Sequence, residues 1–367
     1  MDIIESTLPS QVVTKPLEAL MSNNHERIIY HYDEYTGLKV IVAVHNTVLG
    51  PSLGGARLWN YANEEDALID VLRLSRGMTY KSAVAGLDLG GGKAVLIGDP
   101  NQLKNEAYLR KYGQFIESLQ GIYTTAPDVN TSIDDMVHIA KETKYVVGLP
   151  ATHKGSGDPS ILTAYGTYMG IKAAAKQVYG NDSLVNKKIG VQGLGKVGAQ
   201  LVEYLSKEGA QVYVTDIISD RIAAIARTYK VQVSQNPESF YELEMDIYAP
   251  CALGATINTQ TISRLKCKAI AGAANNQLAN EHQHGRMLLE KGIVYAPDFL
   301  VNAGGVINVH TEYYGGYNQA LAYQQVENIY TTCLKILQIS AQTNQPSHEV
   351  AMQLAEQRIQ AIKNARL

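Results

Sequence analysis

"KKIGVQGLGKVGAQLVEYLSKEGAQVYVTD", residues 187–216, decides the fold. A short apolar strand at 189–191 runs into Gly193-Leu194-Gly195-Lys196-Val197-Gly198, a G-x-G-x-x-G turn. A helix is predicted over about 197–207, stopped by Gly209, and a second strand over 211–215 ends on Asp216. Each glycine of such a turn has its own reason. The first permits the tight turn, the second lets backbone approach a pyrophosphate, and the third lets helix and strand pack closely. The helix N-terminus then offers N–H groups and a positive dipole end to phosphates. A glycine turn that merely packs needs none of these flanking elements in this order. Asp216 points to NAD, because a carboxylate accepts from a ribose 2'-hydroxyl and repels a 2'-phosphate. Arg221, close by in sequence, leaves NADP open.

C-terminal to this unit, short apolar strands alternate with helical stretches, the rhythm of βαβ units around a parallel sheet. N-terminal to it, a helical pattern covers 165–178, preceded by "GLPATHKGSGDPS" (148–160), which reads as a hinge. A chain of 367 residues exceeds what one core usually serves. The expectation is therefore α/β with two domains and a cleft between them. Residues 1–148 form an α/β substrate-binding and catalytic domain, completed by a C-terminal helix at about 340–367. Residues 149–339 form a doubly wound Rossmann domain. In the first domain a short helix near 17–21 precedes two strands joined at Thr36-Gly37, with Leu38, Val40, Val42 and Val44 alternating along the second. A helix capped by Asn63 buries Ala67, Leu68, Val71 and Leu72 and stops at Gly77. Two amphipathic helices, 324–339 and 348–363, close the chain.

Composition is that of a globular protein, 46% hydrophobic and 18% charged. A net charge of -3 gives no electrostatic footprint for nucleic acid. Cys251, Cys267 and Cys333 form neither a metal spacing nor an even disulfide set. The first 25 residues lack an apolar signal core, and no run reaches membrane-spanning length, so the expected setting is cytoplasmic, without a membrane partner.

A second glycine-rich stretch, "LDLGGGKAVLIGDP" (87–100), places Lys93 ahead of an apolar strand. A phosphate-binding P-loop runs strand, glycines, lysine, helix. Here a strand follows the lysine, so Lys93 is no phosphate clamp. Lys81 lies twelve residues earlier in "GMTYKSAVAG". Neighbouring ammonium groups in a partly desolvated cleft disfavour each other's charge, which suits one to proton transfer and the other to binding a carboxylate. Spacing alone leaves this open against two solvated surface lysines.

"GPSLGGARLW", "LSRGMTYKSAVAGLDLGGGKAVLIGDP", "TTAPDVN", "VQGLGKVG", "VTD", "AGAANNQL" and "YAPDFLVNAGGVINV" together resemble the amino-acid dehydrogenase family, which comprises glutamate, leucine, valine and phenylalanine dehydrogenases. The resemblance runs in order from about residue 25 to the C-terminus. It implies NAD-dependent, reversible oxidative deamination of an L-amino acid to a 2-oxo acid and ammonia, by a homo-oligomer. By position it implies that Lys81 holds the substrate carboxylate, Lys93 activates water, and Asp128 handles protons at the substrate nitrogen. It further implies that Asn275 positions substrate and nicotinamide, with Thr163 near the nicotinamide. The glycines before Lys93 are expected to let substrate and nicotinamide approach the backbone.

Glutamate-specific members carry a lysine just before the Gly-Gly of this family's segment, where this chain has Leu53 ahead of Gly54 and Gly55. An apolar residue there cannot offset burial of a γ-carboxylate. Met78 and Val309 continue an apolar lining. Ala126 and Val306 resemble the leucine and valine enzymes, since members taking aromatic substrates tend to have Gly and Leu there. "GGGKAVLIGDP" and "GLGKVG" look closer to phenylalanine enzymes, Asn130 stands where leucine enzymes usually have Gly, and Pro127 before the acid is unusual. Leucine or another branched-chain substrate is favoured, with phenylalanine or tryptophan as the alternative. An NAD-binding protein without catalysis would be expected to lack the Lys81, Lys93 and Asp128 set. His282 and His284 read as a polar helix face, with no metal expected, and Cys251 as a small buried residue at a strand end.

Overall fold

The computed structural model describes residues 16–366, apart from 235 and 315. Residues 1–15 of the expected first domain lie outside the described residues. The chain divides into two compact units. The first gathers residues 16–159, Val306–Gln319 and 355–366, and the second gathers Ser160–Gly305 and Ala320–Leu354. The division falls after Pro159, against the expected 148, and residues 340–354 group with the second unit.

The first unit is built on β1 (Arg27–Asp33), β2 (Leu38–Asn46), β3 (Ser52–Trp59), β4 (Gly90–Ile97) and β5 (Tyr123–Pro127), in the order β1-β2-β4-β3-β5. β2 runs antiparallel to β1 and β4, while β3 runs parallel to β4 and β5. Both faces are covered. Val40, Val42, Ala56, Leu58, Ala94 and Leu96 pack against the Glu106–Ser118 and Ile133–Ala140 helices through Tyr112, Ile116, Met136 and Ile139. On the other face, Ile41, Ala43 and Val95 meet Ala67, Leu68, Val71 and Leu72 of the Glu64–Val84 helix.

That helix does not stop at Gly77. It continues seven residues further, to Val84, burying Thr79, Ser82, Ala83 and Val84. A mid-helix glycine costs ~1 kcal/mol, whereas burying one Val side chain contributes ~1.5–3 kcal/mol. Tertiary packing therefore outweighs local propensity, and Lys81 rides on the last turn of the helix.

The second unit carries six parallel strands: β6 (Lys188–Gln192), β7 (Gln211–Thr215), β8 (Gln232–Val233), β9 (Ile247–Pro250), β10 (Ala269–Ile270) and β11 (Val294–Tyr295). Their order, β11-β10-β9-β6-β7-β8, reverses direction between β6 and β9, which is the ligand-binding crevice of a doubly wound sheet. No described helix is long and apolar enough to cross a membrane.

Candidate active site

Alternation along β4 sends Gly91, Lys93 and Val95 to the face covered by the Glu64–Val84 helix. Lys93 is buried, with only 6% of its surface exposed. Its Nζ donates to Oδ2 of Asp128, which directly follows β5. The pair can meet because Gly55 of β3 has no side chain. A Cβ there would lie 2.7 Å from Asp128 Cβ and 2.8 Å from the Pro127 carbonyl oxygen. Pro127 closes β5 opposite Ala56 and leaves the Asp128 carboxylate on Lys93. The Asp128 N–H donates to Thr131 Oγ1 (2.8 Å), which in turn donates to the Ala56 carbonyl (2.8 Å). Asn130 takes a left-handed conformation (φ 60°) and donates to the Leu58 carbonyl. Asn is among the few residues besides Gly that visit this region readily, so it substitutes for glycine at this turn.

A second cation faces Asp128. Arg57 Nε lies 3.5 Å from Asp128 Oδ2, and its Nη1 is 2.8 Å from Asp70 Oδ2, which also accepts from the Tyr61 hydroxyl at 2.6 Å. Burial disfavours charge on Asp128, but Lys93 and then Arg57 outweigh it and hold its carboxyl below the usual range. Sequence reasoning missed Arg57, Asp70 and Tyr61. The available signal was an arginine two residues from Gly55 in a strand of small and apolar residues, and therefore on the same face.

Around this pair, β3 supplies Leu53 and Gly54, and β5 supplies buried Ala126 opposite Gly55. The Tyr123 hydroxyl donates to the Gly54 carbonyl at 2.6 Å. Met78 and Lys81 are half-buried on the Glu64–Val84 helix. Val306 and Val309, three residues apart on the Gly304–Tyr313 helix, are both buried. The glycines before Lys93 do something other than expected. A Cβ on Gly91 would overlap the Thr79 backbone nitrogen and hydroxyl, and one on Gly92 would lie 2.6 Å from the Tyr123 ring. They make room for protein, bringing the Lys81 helix close against β4.

In the second unit, Gly193 adopts φ +96°, and its N–H donates to the Thr215 carbonyl at 2.8 Å. A Cβ on Gly198 would overlap the Gly193 carbonyl, whereas Gly195 faces open space. Gly195 begins the Lys196–Lys207 helix without a side-chain cap, so Lys196, Val197 and Gly198 form its first turn. Asp216 accepts from the Leu194 N–H (2.6 Å) and the Ile218 N–H (2.8 Å), with Arg221 Nη1 3.7 Å from Oδ2. An open glycine, an uncapped helix start and a terminal carboxylate fit a dinucleotide. Thr163 lies near the start of the Ser160–Tyr179 helix. Asn275 is exposed, and its Oδ1 accepts from Asn302 Nδ2 at 2.7 Å.

His284 corrects the expected polar face. It is buried, and its Nδ1 accepts from the Asn280 N–H at 2.8 Å. Cys251 follows β9 and is half-buried, and burial pushes its thiol up to about 12, so it is no thiolate nucleophile.

Residues 25–145 match a family model described as Glu/Leu/Phe/Val dehydrogenase, dimerisation domain, and residues 214–366 match Glutamate/Leucine/Phenylalanine/Valine dehydrogenase. A leucine dehydrogenase of Thermoactinomyces intermedius is 50% identical over 343 residues, covering 94% of this chain and 93% of that protein. A phenylalanine dehydrogenase of Caldalkalibacillus thermarum is 46% identical over 349 residues, again covering 94% and 93%. The crystal structure of L-tryptophan dehydrogenase from Nostoc punctiforme superposes with a TM-score of 0.84 at 42% identity, covering 95% of this chain and 99% of that one.

Proposed function

The chain belongs to the glutamate/leucine/phenylalanine/valine dehydrogenase family and is an amino-acid dehydrogenase, an oxidoreductase acting on a CH–NH2 carbon; from that premise we propose that it takes leucine or another branched-chain L-amino acid, with NAD, to the 2-oxo acid and ammonia. The observation that carries the residue roles is the Lys93–Asp128 pair lying across Gly55.

A nicotinamide cofactor, when bound, would supply the acceptor for the α-hydride. Everything else falls to side chains of this chain. Lys81 holds the substrate carboxylate as a point charge. Asp128, kept ionised by Lys93 and Arg57, takes a proton from the substrate ammonium, freeing the nitrogen lone pair that drives hydride departure and leaves the iminium. Lys93, after releasing its own proton to solvent, removes a proton from the water that attacks the iminium carbon. Asp128 returns a proton to the nitrogen, and as ammonia leaves, the hydroxyl of the carbinolamine gives its proton to the Asp128 carboxylate and the carbonyl forms. Arg57 keeps the Asp128 carboxylate oriented while Lys93 changes protonation state.

In the second unit, Gly193, Leu194, Gly195, Lys196, Val197 and Gly198 would receive the pyrophosphate, and Asp216 would accept from the ribose hydroxyl. NAD is favoured over NADP because a 2'-phosphate would meet the Asp216 carboxylate, which Arg221 only partly offsets at 3.7 Å. Thr163 and Asn275 would complete the nicotinamide end. Leu53 stands where a glutamate enzyme needs a cation, and Met78, Ala126, Val306 and Val309 supply apolar lining. The identity of 50% to leucine dehydrogenases, against 46% to a phenylalanine dehydrogenase, supports the branched-chain reading. An aromatic substrate is the second reading, favoured by the closeness of these same relatives and of the tryptophan enzyme. The dimerisation description of residues 25–145 supports a homo-oligomer. Three free cysteines among the described residues suit a cytoplasmic setting.

The test is reduced-nicotinamide absorbance at alkaline pH with L-leucine, valine, isoleucine, phenylalanine and tryptophan, each with NAD and NADP. The highest kcat/KM is expected for leucine with NAD. A higher value for phenylalanine or tryptophan overturns the substrate, and a preference for NADP overturns the cofactor.

A further inference from the structure

The Glu281–Glu290 helix and the start of the Ser347–Ala365 helix bring together three groups that the proposed reaction does not use. His282 Nδ1 lies 3.3 Å from Glu349 Oε1, and His348 Nε2 lies 4.0 Å from the same oxygen. One ligand atom from each residue falls within 4.8 Å of the others. The three differ in setting: the His282 side chain is 87% exposed, Glu349 30% and His348 only 7%.

His348 supplies an independent observation. Its imidazole is buried, yet neither ring nitrogen has a hydrogen-bond partner. Buried polar atoms are nearly always paired, and an orphaned imidazole is costly. The protein makes room for this ring. A Cβ on Gly285, inside the Glu281–Glu290 helix, would lie 2.6 Å from His348 Nδ1. A glycine inside a helix weakens it, so the space is held at a cost. Elements on both sides are fastened as well. Ser347 Oγ donates to the Tyr295 carbonyl, and Arg286 Nη1 donates to the Asn344 carbonyl at 3.2 Å.

We propose that His282, His348 and Glu349 form a binding site for a divalent transition-metal ion, of which zinc is the best match, clasping the Glu281–Glu290 helix to the start of the C-terminal helix. Zinc bonds to nitrogen and oxygen at roughly 2.0–2.2 Å, so tetrahedral ligand atoms stand roughly 3.3–3.5 Å apart. One separation already meets that figure; a swing of the exposed His282 side chain would shorten its distance to His348, and a turn of the partly exposed Glu349 carboxylate would close the 4.0 Å gap to His348. Two imidazoles with one carboxylate select zinc, nickel or copper over magnesium or calcium, which prefer all-oxygen sets. A fourth position is left for water. Metal at His348 Nε2 would give that nitrogen its partner.

The test uses the full-length protein, stripped with a chelator and re-equilibrated with zinc chloride. Metal content after gel filtration, the visible spectrum of the cobalt(II)-substituted form and the melting temperature are then read. One zinc per chain, a tetrahedral cobalt spectrum and a raised melting temperature are expected. His282→Ala removes the exposed ligand without disturbing the interior. It should leave the metal-free melting temperature unchanged and weaken zinc binding at least tenfold, as should Glu349→Gln. His153→Ala, an exposed histidine elsewhere in the chain, should change nothing. Less than half an equivalent of zinc in the unmodified protein, or affinity unaltered by both His282→Ala and Glu349→Gln, overturns the site.

Discussion

Residues 87–100 and 193–198 are both glycine-rich and both contain a lysine, yet the two regions use glycine in opposite ways. Before Lys93, the volume a Cβ would fill is occupied by protein: Thr79 at Gly91 and the Tyr123 ring at Gly92. In the second stretch, Gly195 faces open space at the start of a helix. Glycine runs mark a close approach, and the element that follows says what approaches. A strand continues into the sheet and is packed by neighbours, whereas a helix begins with N–H groups that need a partner.

The largest effect expected from breaking this contrast is at Lys93. Lys93→Met should lower kcat by roughly 10²–10⁴, the usual range for a general base. NADH binding, followed by fluorescence, should stay unchanged. Were Lys93 a phosphate clamp, the NADH dissociation constant would rise instead.

A second effect arises in the packing beneath Gly91. Thr79 Oγ1, which Gly91 leaves room for, is hydrogen-bonded to His45 Nδ1 at 2.8 Å, and the His45 ring meets His25 edge-on at 4.8 Å. Burial lowers His25 to about 4 and His45 to about 3, and Arg76 adds to both. Both rings are therefore neutral in the folded protein, while the unfolded chain takes up protons near the ordinary value of 6.5. This contribution is complete above pH 6.5 and is lost as pH falls toward 4 and then 3. Its size is on the order of a few kcal/mol. Melting temperature measured from pH 7 to 4.5 should fall steeply, and His45→Gln should flatten the fall. An unchanged slope would remove this pair as the cause.

The next contrast is direct. Gly91→Ala drives a methyl into the Thr79 backbone and should cost about 1–3 kcal/mol of stability, with a visible loss of melting temperature. Gly195→Ala, at φ -66°, meets nothing within 4 Å and should leave the melting temperature of the free protein unchanged. Its cost should appear as a roughly tenfold weaker NADH complex, or about 1.4 kcal/mol. Equal losses of stability in both variants would erase the distinction between the two glycine runs.

The second region was legible because its information is local. Strand, turn, helix, strand and acid follow one another within residues 187–216, and β7 ends where the spacing put it. The first region was legible in pieces. Lys93 and Lys81 could be singled out, but their roles, and Asp128 altogether, came from resemblance, and the ion pair joins a residue of β4 to the one just after β5, 35 positions apart. Nothing local in the sequence shows that Gly55 clears the path between them. Arg57 went unread because one arginine in a strand carries no periodic signal until its partner, Asp70, is known to face it. Gly77 was misread because helix propensity is local and the burial that overrides it is not. His284 looked like a surface residue beside His282, whereas two positions along a helix is more than half a turn, enough to separate solvent from core.

The smallest expected effect concerns substrate choice and divides the two regions by task. Ala126 is buried on β5, opposite Gly55 and two residues before Asp128, and is proposed as part of the apolar lining that meets the substrate side chain. Ala126→Gly removes that methyl without adding a charge or a hydrogen bond. The ratio of kcat/KM for phenylalanine to that for leucine should rise roughly tenfold, the lower end of what one methylene gives in an apolar pocket. The NADH dissociation constant should not move, because cofactor binding is assigned to the 193–216 unit. A changed ratio with constant cofactor affinity would keep substrate sorting in the first region. A shift in NADH affinity with the ratio unchanged would mean that β5 serves the cofactor, and the division of labour between the two glycine-rich regions would fail.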